Sequence, residues 1–304
     1  MSFSRHADYS RVLGMNARTQ YVDNENPPHA IRGVNNKYKT KQVLQTVGVP
    51  TVPTLAIVRD RRDLESLDWD ALPDAWALKP NNGRQGAGIM LARERAGSGW
   101  RTSSGRELDR RAITDHVRTI LEGEYSMESL ERDWALFEPL IVADPALAGL
   151  SDSGLPDIRV ICYRCEPVLA MMRLPTKASG GRANLHQGAA GAGIDLASGV
   201  ITRAVCGREE ITNHPDTGAP IIGVQVPHWD KVVTAATNAG KPIGLGYLGA
   251  DIVICALRGP VVMELNGRPG LEIQNVTGEG LVDRLRSVIE RGSSCAGTGW
   301  PSDF

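Results

Sequence analysis

The chain has 304 residues, 41% of them hydrophobic and 23% charged, with a formal net charge of −1. That length supports one large domain or two lobes around a substantial core, and the near-neutral balance excludes a generic polyanion or nucleic-acid binder, which needs a basic excess. Aromatic residues make up only 5%, too few for base-stacking platforms. No run reaches the ~18 apolar residues of a membrane span, and the polar start MSFSRHADYSRVLG carries no signal-peptide core, so a cytoplasmic protein is expected.

Residues 1–30 are polar and read as an irregular wrapping arm ending in Asn26-Pro27-Pro28. The stretch 35–48 reads as a helix capped by Asn35 or Asn36, with Val43, Leu44 and Val47 on one side and Gly48 as its stop. A strand at 54–58 and a short helix at 61–67 follow. Ala75-Trp76-Ala77-Leu78-Lys79-Pro80 is a strand that ends in a lysine. Asn81-Asn82-Gly83-Arg84-Gln85-Gly86-Ala87-Gly88 then leads into a strand at 89–91, giving a hairpin with a glycine-rich tip. Bare backbone N–H groups in such a tip can cradle phosphate oxygens. The tip is neither a P-loop nor a dinucleotide fingerprint, both of which open a helix. A plain β-turn with extra glycines is the competing reading.

A helix is expected at 110–123, then an apolar strand at 134–141 interrupted by Glu138. Pro139 cannot donate to a ladder, so the chain is expected to leave the sheet there as a connection between lobes. A polar loop at 144–156 precedes strands at 157–164 and 168–173. The segment 177–193 is rich in glycine and small residues and holds Arg182, Asn184, His186 and Gln187. Short strands are expected at 194–196 and 200–204, and helices at 229–239 and 280–291. The five cysteines, Cys162, Cys165, Cys206, Cys255 and Cys295, include one CxxC with no second pair or nearby His to complete a zinc site. Buried thiols are expected.

The stretch 249–270 reads as two apolar strands joined at Arg258-Gly259-Pro260. Asp251 lies on the first strand, Glu264 and Asn266 on the second. Side chains at i and i+2 share a strand face, so Glu264 and Asn266 project together and the hairpin can bring Asp251 beside them. Carboxylates among β-branched residues are costly unless paired, and three oxygen-bearing side chains suit a hard cation such as Mg²⁺. An edge hairpin with solvated acids is the alternative.

In order, the chain offers Asn36-Lys37 on a helix, Lys79 before NNGRQGAGI, Phe137-Glu138, Asp157-Ile158-Arg159, Arg182-Ala183-Asn184-Leu185-His186-Gln187-Gly188, and Glu264-Leu265-Asn266 with Pro269-Gly270. This succession resembles the ATP-grasp superfamily, most of all its ribosomal-protein glutamate ligases and α-L-glutamate ligase-like relatives. The resemblance implies an α+β fold of two α/β lobes closing over ATP; the chain departs from those ligases in that only about 35 residues precede Lys37, so a full N-terminal domain before the lobes is not expected. It divides the chain into an extension at 1–34, a lobe with the helical lysine and glycine-rich flap at 35–137, a lobe with the metal site at 138–292 and a flexible tail at 293–304.

The same resemblance implies roles. Lys37 and Lys79 would hold ATP phosphates, Gly83, Gly86 and Gly88 would close over them, and Glu138, Leu140 and Ile141 would meet the adenine edge, with Asp144 toward the ribose. Asp251, Glu264 and Asn266 would hold one or two Mg²⁺, with Mn²⁺ as a substitute. Arg173, Arg182 and Asn184 would line the acyl-phosphate side, and Arg268 would bind the carboxylate substrate. For each arginine a surface salt bridge is the alternative, and His186 is expected only to pack locally.

The implied reaction joins an amino acid or other carboxylate, glutamate foremost, to an amine on a peptide, protein or small molecule. No protein nucleophile is required, since positioning and charge neutralisation carry phosphoryl transfer. Neither nucleic acid nor membrane is an expected partner; a homo-oligomer or partner protein is expected to complete the acceptor site. A small-molecule kinase and a non-catalytic nucleotide-binding regulatory module are the competing functions. A nucleic-acid role has only Arg61-Arg62 and Arg110-Arg111 behind it. Alanine at Asp251 or Glu264 is expected to abolish turnover and leave the fold intact.

Overall fold

The N-terminal segment, expected to be irregular, is helical. In the computed structural model, which describes residues 9–83, 86–126, 132–152 and 154–295, it forms α1 (Met15–Glu25) and α2 (Pro28–Gly33). Helix α1 has no apolar stripe, and Val22 is its one buried residue, so no 3.6-residue period marks it in the sequence. Tertiary contacts hold it instead. Just past its end, Asn26 Nδ2 donates to the carbonyls of Tyr247 (2.6 Å) and Gly267 (2.8 Å), and its Oδ1 accepts from Tyr247 N–H (2.9 Å). Helix α2 opens with Pro28 in its first turn, where a missing N–H costs nothing. Helix α3 (Lys37–Thr46) follows.

The chain divides into two compact units, one of residues 1–34, 42–51 and 142–304, the other of residues 35–41 and 52–141. The smaller contains β1 (Ala56–Val58), α4 (Arg61–Glu65), β2 (Trp76–Pro80), β3 (Met90–Ala92), β4 (Glu94–Ala96), β5 (Gly99–Arg101), β6 (Glu107–Leu108), α5 (Arg110–Leu121) and β7 (Ala135–Pro139). An antiparallel sheet runs β1-β7-β2-β3, and a second runs β4-β5-β6. Asp60 and Asp109 cap α4 and α5 by accepting backbone N–H groups. Alternation sends Trp76, Leu78, Ala135 and Phe137 into a core with Trp100 and the α5 residues Ile113, Val117 and Ile120. It leaves Lys79 and Glu138 on the opposite face. Pro139 does not take the chain out of the sheet; it is the last residue of β7, opposite Trp76. Pairing with β1 stops at Phe137, so the missing N–H is tolerated.

The larger unit contains β8 (Asp157–Tyr163), β9 (Glu166–Leu174), β10 (Ala190–Ile194), β11 (Ile201–Cys206), β12 (Glu209–Glu210), α6 (Trp229–Ala239), β13 (Tyr247–Cys255), β14 (Gly259–Asn266), α7 (Ile273–Thr277) and α8 (Leu281–Glu290). Its sheet is antiparallel in the order β12-β11-β10-β9-β8-β13-β14. One face buries Ile158, Val160, Met172, Ala250 and Ile252 with Val232 and Ala236 of α6. The other buries Ile161, Tyr163, Leu169 and Met171 with Ile273, Val276, Leu281 and Leu285 of α7 and α8, together with Leu13 and Val22.

Two further expectations change. The strand expected at 194–196 lies earlier, at β10, inside the glycine-rich segment. Its glycines are sites of close approach: a Cβ on Gly191 would sit 2.5 Å from Val276 Cγ2, and one on Gly193 would sit 3.0 Å from Thr277 Cα. Nor are all the cysteines thiols. Cys165, in the β8–β9 turn with a φ of +62°, is bonded to Cys295, whereas Cys162, Cys206 and Cys255 are free. Among the described residues no helix is long and apolar enough to cross a membrane. Of the expected tail, residues 296–304 lie outside the described residues, as do Arg84 and Gln85 of the glycine-rich tip.

Candidate active site

In the smaller unit, the antiparallel register sets Lys79 opposite Leu136 and Ala77 opposite Glu138. Lys79 and Glu138 are therefore diagonal neighbours on one face, and Lys79 Nζ lies 2.8 Å from Glu138 Oε2. Lys41 of α3 reaches the same carboxylate from the other side, on Oε1. All three are buried: Lys41 is 4% exposed, Lys79 6% and Glu138 2%. Burial, reinforced by the charge of Lys79, pushes Lys41 down to about 8 against the pull of Glu138. Lys37, one turn earlier, donates its Nζ to the carbonyls of Asn81 and Gly83.

The glycine-rich turn is anchored at both ends. Asp133, fully buried, accepts from the N–H groups of Asn82 (3.0 Å) and Trp134 (2.8 Å). Burial raises its carboxyl above the usual range against those hydrogen bonds. Gly83 bridges to Ser126. Gly86 and Gly88 have φ of +74° and +71°, and a Cβ on Gly88 would meet the Tyr125 ring at 2.5 Å; only glycine satisfies both demands at Gly88. The Leu140 N–H is taken by the Ala75 carbonyl, so it is not a free donor for a base edge.

In the larger unit, Asp251 and Glu264 are cross-strand partners on β13 and β14, and Gly249 lies opposite Asn266. A register shift follows Asp251, where Ile252 pairs with Val262. Met263 is thus the extra residue of a bulge, which re-aims the side chains beyond it. Asp251, 5% exposed, is not a solvated edge acid. Arg159 of β8 grips it with Nε on Oδ1 (2.7 Å) and Nη2 on Oδ2 (2.6 Å). Arg173 of β9 holds Asp157 through two bonds of 2.5 Å and reaches Asp251 Oδ2 at 2.9 Å. Asn266 Nδ2 lies 3.4 Å from the same oxygen. Burial alone would raise Asp251, but Arg159 and Arg173 hold it below the usual carboxylate range. Asp157, desolvated more than Arg173 can offset, is pushed up to about 6. Glu264 is partly exposed, and its carboxylate has no partner among the described residues.

The structure thus brings Asp251, Glu264, Asn266 and Arg173 together. No hydrogen bond or ion pair among the described residues ties the remaining candidates of this unit to them. Arg182 is exposed on the loop before β10, and Asn184 caps a short turn by accepting from His186 N–H (3.0 Å). Arg268 pairs with Asp23 at 3.2 Å on the surface. Asp144 accepts from Ala146 N–H (2.9 Å) and caps a 3-10 turn. Sequence reasoning assigned no role to Lys41, Asp133, Asp157 or Arg159. Asp157 and Arg159 were legible as alternate residues of one strand face, and Lys41 as the i+4 neighbour of Lys37.

The sequence pattern of the sugar-transfer associated ATP-grasp family matches residues 16–290. The chain belongs to that family. This ATP-grasp chain is 47% identical over 57 residues to a probable alpha-L-glutamate ligase of Teredinibacter turnerae. It is 46% identical over 57 residues to the ribosomal protein bS6–L-glutamate ligase of Salmonella paratyphi B. Each match spans 18% of this chain and 19% of the relative, so about a fifth of either curated protein is covered. The D-alanine–D-alanine ligase of Bacillus anthracis complexed with ATP shares the ATP-grasp fold, with a TM-score of 0.50 over 94% of this chain and 76% of that one at 15% identity.

Three oxygen-bearing side chains, Asp251, Glu264 and Asn266, come together in the larger unit. Both Asp251 oxygens are held by Arg159 and Arg173, so Glu264, whose carboxylate has no counter-charge among the described residues, is the one open to a hard cation. Among the described residues no three His, Cys, Asp or Glu side chains form a cluster. A single open carboxylate with a neighbouring amide suits an ion that keeps water and phosphate oxygens in its shell, as Mg²⁺ does.

Proposed function

We propose that the chain is an ATP- and Mg²⁺-dependent ligase that joins a carboxylate to an amine through an acyl phosphate. The observation that carries the reading is the cross-strand pair Asp251–Glu264 with Asn266 beside it, in a chain of the ATP-grasp family. The names of the two curated relatives support glutamate as one of the two substrates, and one of them, naming ribosomal protein bS6, supports a protein as the other. Because the family is described as sugar-transfer associated, an amino sugar is included among the acceptors to be tested.

In this reading Lys37 and Lys79 hold the nucleotide's phosphates, with the backbone at Gly83, Gly86 and Gly88 excluding water that would hydrolyse an activated carboxylate. The adenine edge is met by the backbone near Ile141, because both Glu138 oxygens already carry lysines. Asp251, Glu264 and Asn266 would hold Mg²⁺, which when bound neutralises charge on the transferring phosphoryl group. Arg173 keeps Asp251 ionised and adds positive charge beside it. Arg182, Asn184, Arg268 and Asp144 remain proposals for the substrate side, each supported by position in the chain alone.

The test is ADP release with Mg·ATP, the twenty amino acids in pools and hydroxylamine as a generic amine. Hydroxamate formed with one amino acid is the expected result and names the donor. ADP together with a stable phosphorylated product and no hydroxamate would replace the ligase with a small-molecule kinase. Absence of ADP with every pool and with peptide, protein and amino-sugar acceptors would sink the enzyme reading.

A further inference from the structure

Glu138 has two carboxylate oxygens, and a buried lysine occupies each: Lys41 on Oε1, and Lys79 on Oε2 at 2.8 Å. Two ammonium groups and one carboxylate leave this buried triad with a charge of +1. The charged groups facing Lys41 are Lys37 on its own helix, Lys79 on β2 and Glu138 on β7. Thr54 Oγ1, at 3.4 Å, adds a neutral acceptor. Lys37 and Lys41 stand at i and i+4 on α3, a spacing at which like charges repel. Uncompensated charge is expensive to bury, and fixed positive charge in excess is the electrostatic form of an anion site.

The arithmetic assigns Lys41 a part distinct from that of Lys79. Without Lys41, Glu138 would neutralise Lys79 and the pair would carry no net charge toward a ligand. With Lys41 engaged, Glu138 is already compensated. We propose that Lys41 sets the charge of the nucleotide site, satisfying Glu138 so that Lys79 remains a net cation for polyphosphate. This rests on the nucleotide-binding reading above and extends it to a residue that need not touch the nucleotide. Lys41 is a positioning residue, acting through Glu138 and Lys79. Because burial and the neighbouring lysine push its ammonium down to about 8, its charge is lost within a readily tested range.

The experiment is calorimetric titration of the full chain with ADP and with adenosine, across about pH 7 to 9, a range bracketing the Lys41 value. Lys41→Met is expected to weaken ADP about tenfold, a change of ~1.4 kcal/mol, and to leave adenosine unchanged, because adenosine carries no phosphate. The double variant Lys41→Met/Glu138→Gln restores the charge of +1 and is expected to recover wild-type ADP affinity. A merely structural role for Lys41 would weaken adenosine and ADP alike, so the adenosine titration separates the two roles. In the wild type, ADP affinity is expected to fall as pH rises through the Lys41 value. Lys41→Arg, which stays charged, is expected to bind ADP without that fall, and it decides the matter if Lys41→Met does not fold. Equal ADP affinity of Lys41→Met and wild type, failure of Glu138→Gln to rescue, or an unchanged alkaline fall in Lys41→Arg would overturn the proposal. A wild type that binds neither ADP nor ATP would instead overturn the nucleotide reading on which it stands.

Discussion

Asp251 and Glu264 face each other across β13 and β14, yet only Asp251 is clamped by arginine. The two acids of one candidate cation site therefore respond differently to replacement. Glu264→Gln removes a partly exposed carboxylate that compensates nothing. It is expected to lower Mg²⁺-dependent ADP release by about 100-fold or more with no change in the urea midpoint. Asp251→Ala leaves Arg159 and Arg173 short of a counter-charge in a buried setting, at a cost of about 3–5 kcal/mol. Urea denaturation of the two variants checks this, and equal stability would refute the asymmetry. The expectation of an intact fold is therefore kept for Glu264, and for Asp251 it is replaced by an expected loss of stability.

The same network predicts a pH signature. Asp157 in the folded protein sits at about 6, above its ordinary 3.8. The folded state therefore binds a proton more readily than the unfolded chain between those values, and its contribution to stability grows as pH falls from about 6 to about 4. Asp251 runs the other way: its carboxyl is held low, so its contribution is present above 3.8 and is lost below it. Relative to Asp157→Asn, the wild type is expected to gain on the order of 1–3 kcal/mol between pH 6 and pH 4. Denaturation curves across that range decide it; a gap independent of pH would contradict the assignment.

Gly191→Ala introduces a methyl 2.5 Å from Val276, which forces β10 and α7 apart. A loss of about 1–3 kcal/mol is expected. Gly14→Ala, at a glycine with open space around its Cβ position, is the control and is expected to be neutral within about 0.5 kcal/mol. Thermal melts of both variants provide the comparison.

The chain has five cysteines, two of them bonded as Cys165–Cys295. Denatured but unreduced protein is expected to show three reactive thiols, and reduced protein five. Five thiols before reduction would rule out the bond.

Elements with a strong period or a sharp stop were legible in the sequence: α3 by its apolar side and Gly48, α5 and α6 by their stripes, and the β13–β14 hairpin by β-branched runs about a Gly-Pro turn. Those fixed by distant partners were not. Helix α1 buries a single residue of its own, and β10 carries glycine at 191 and 193 because α7 lies close over it. Neither reason is local. At the site, Glu264 and Asn266 could be placed on one face by period-two counting, and Asp251 beside them by the hairpin. Their arginine partners could not, because Arg159 and Arg173 arrive on neighbouring strands whose register no local pattern reveals. Lys41 escaped notice for a related cause: its partner Glu138 lies 97 residues away.

Asn26 is synthesised long before the hairpin it fastens. It lies 221 residues ahead of Tyr247 and 241 ahead of Gly267, the two carbonyls that share its amide. On the ribosome its side chain waits without these partners until Gly267 has emerged, so the end of the hairpin that bears Asn266 is locked only after both strands are made. Translation order thereby delays the candidate cation site, and removal of the N-terminal arm through Asn26 would undo the lock without touching a single candidate ligand.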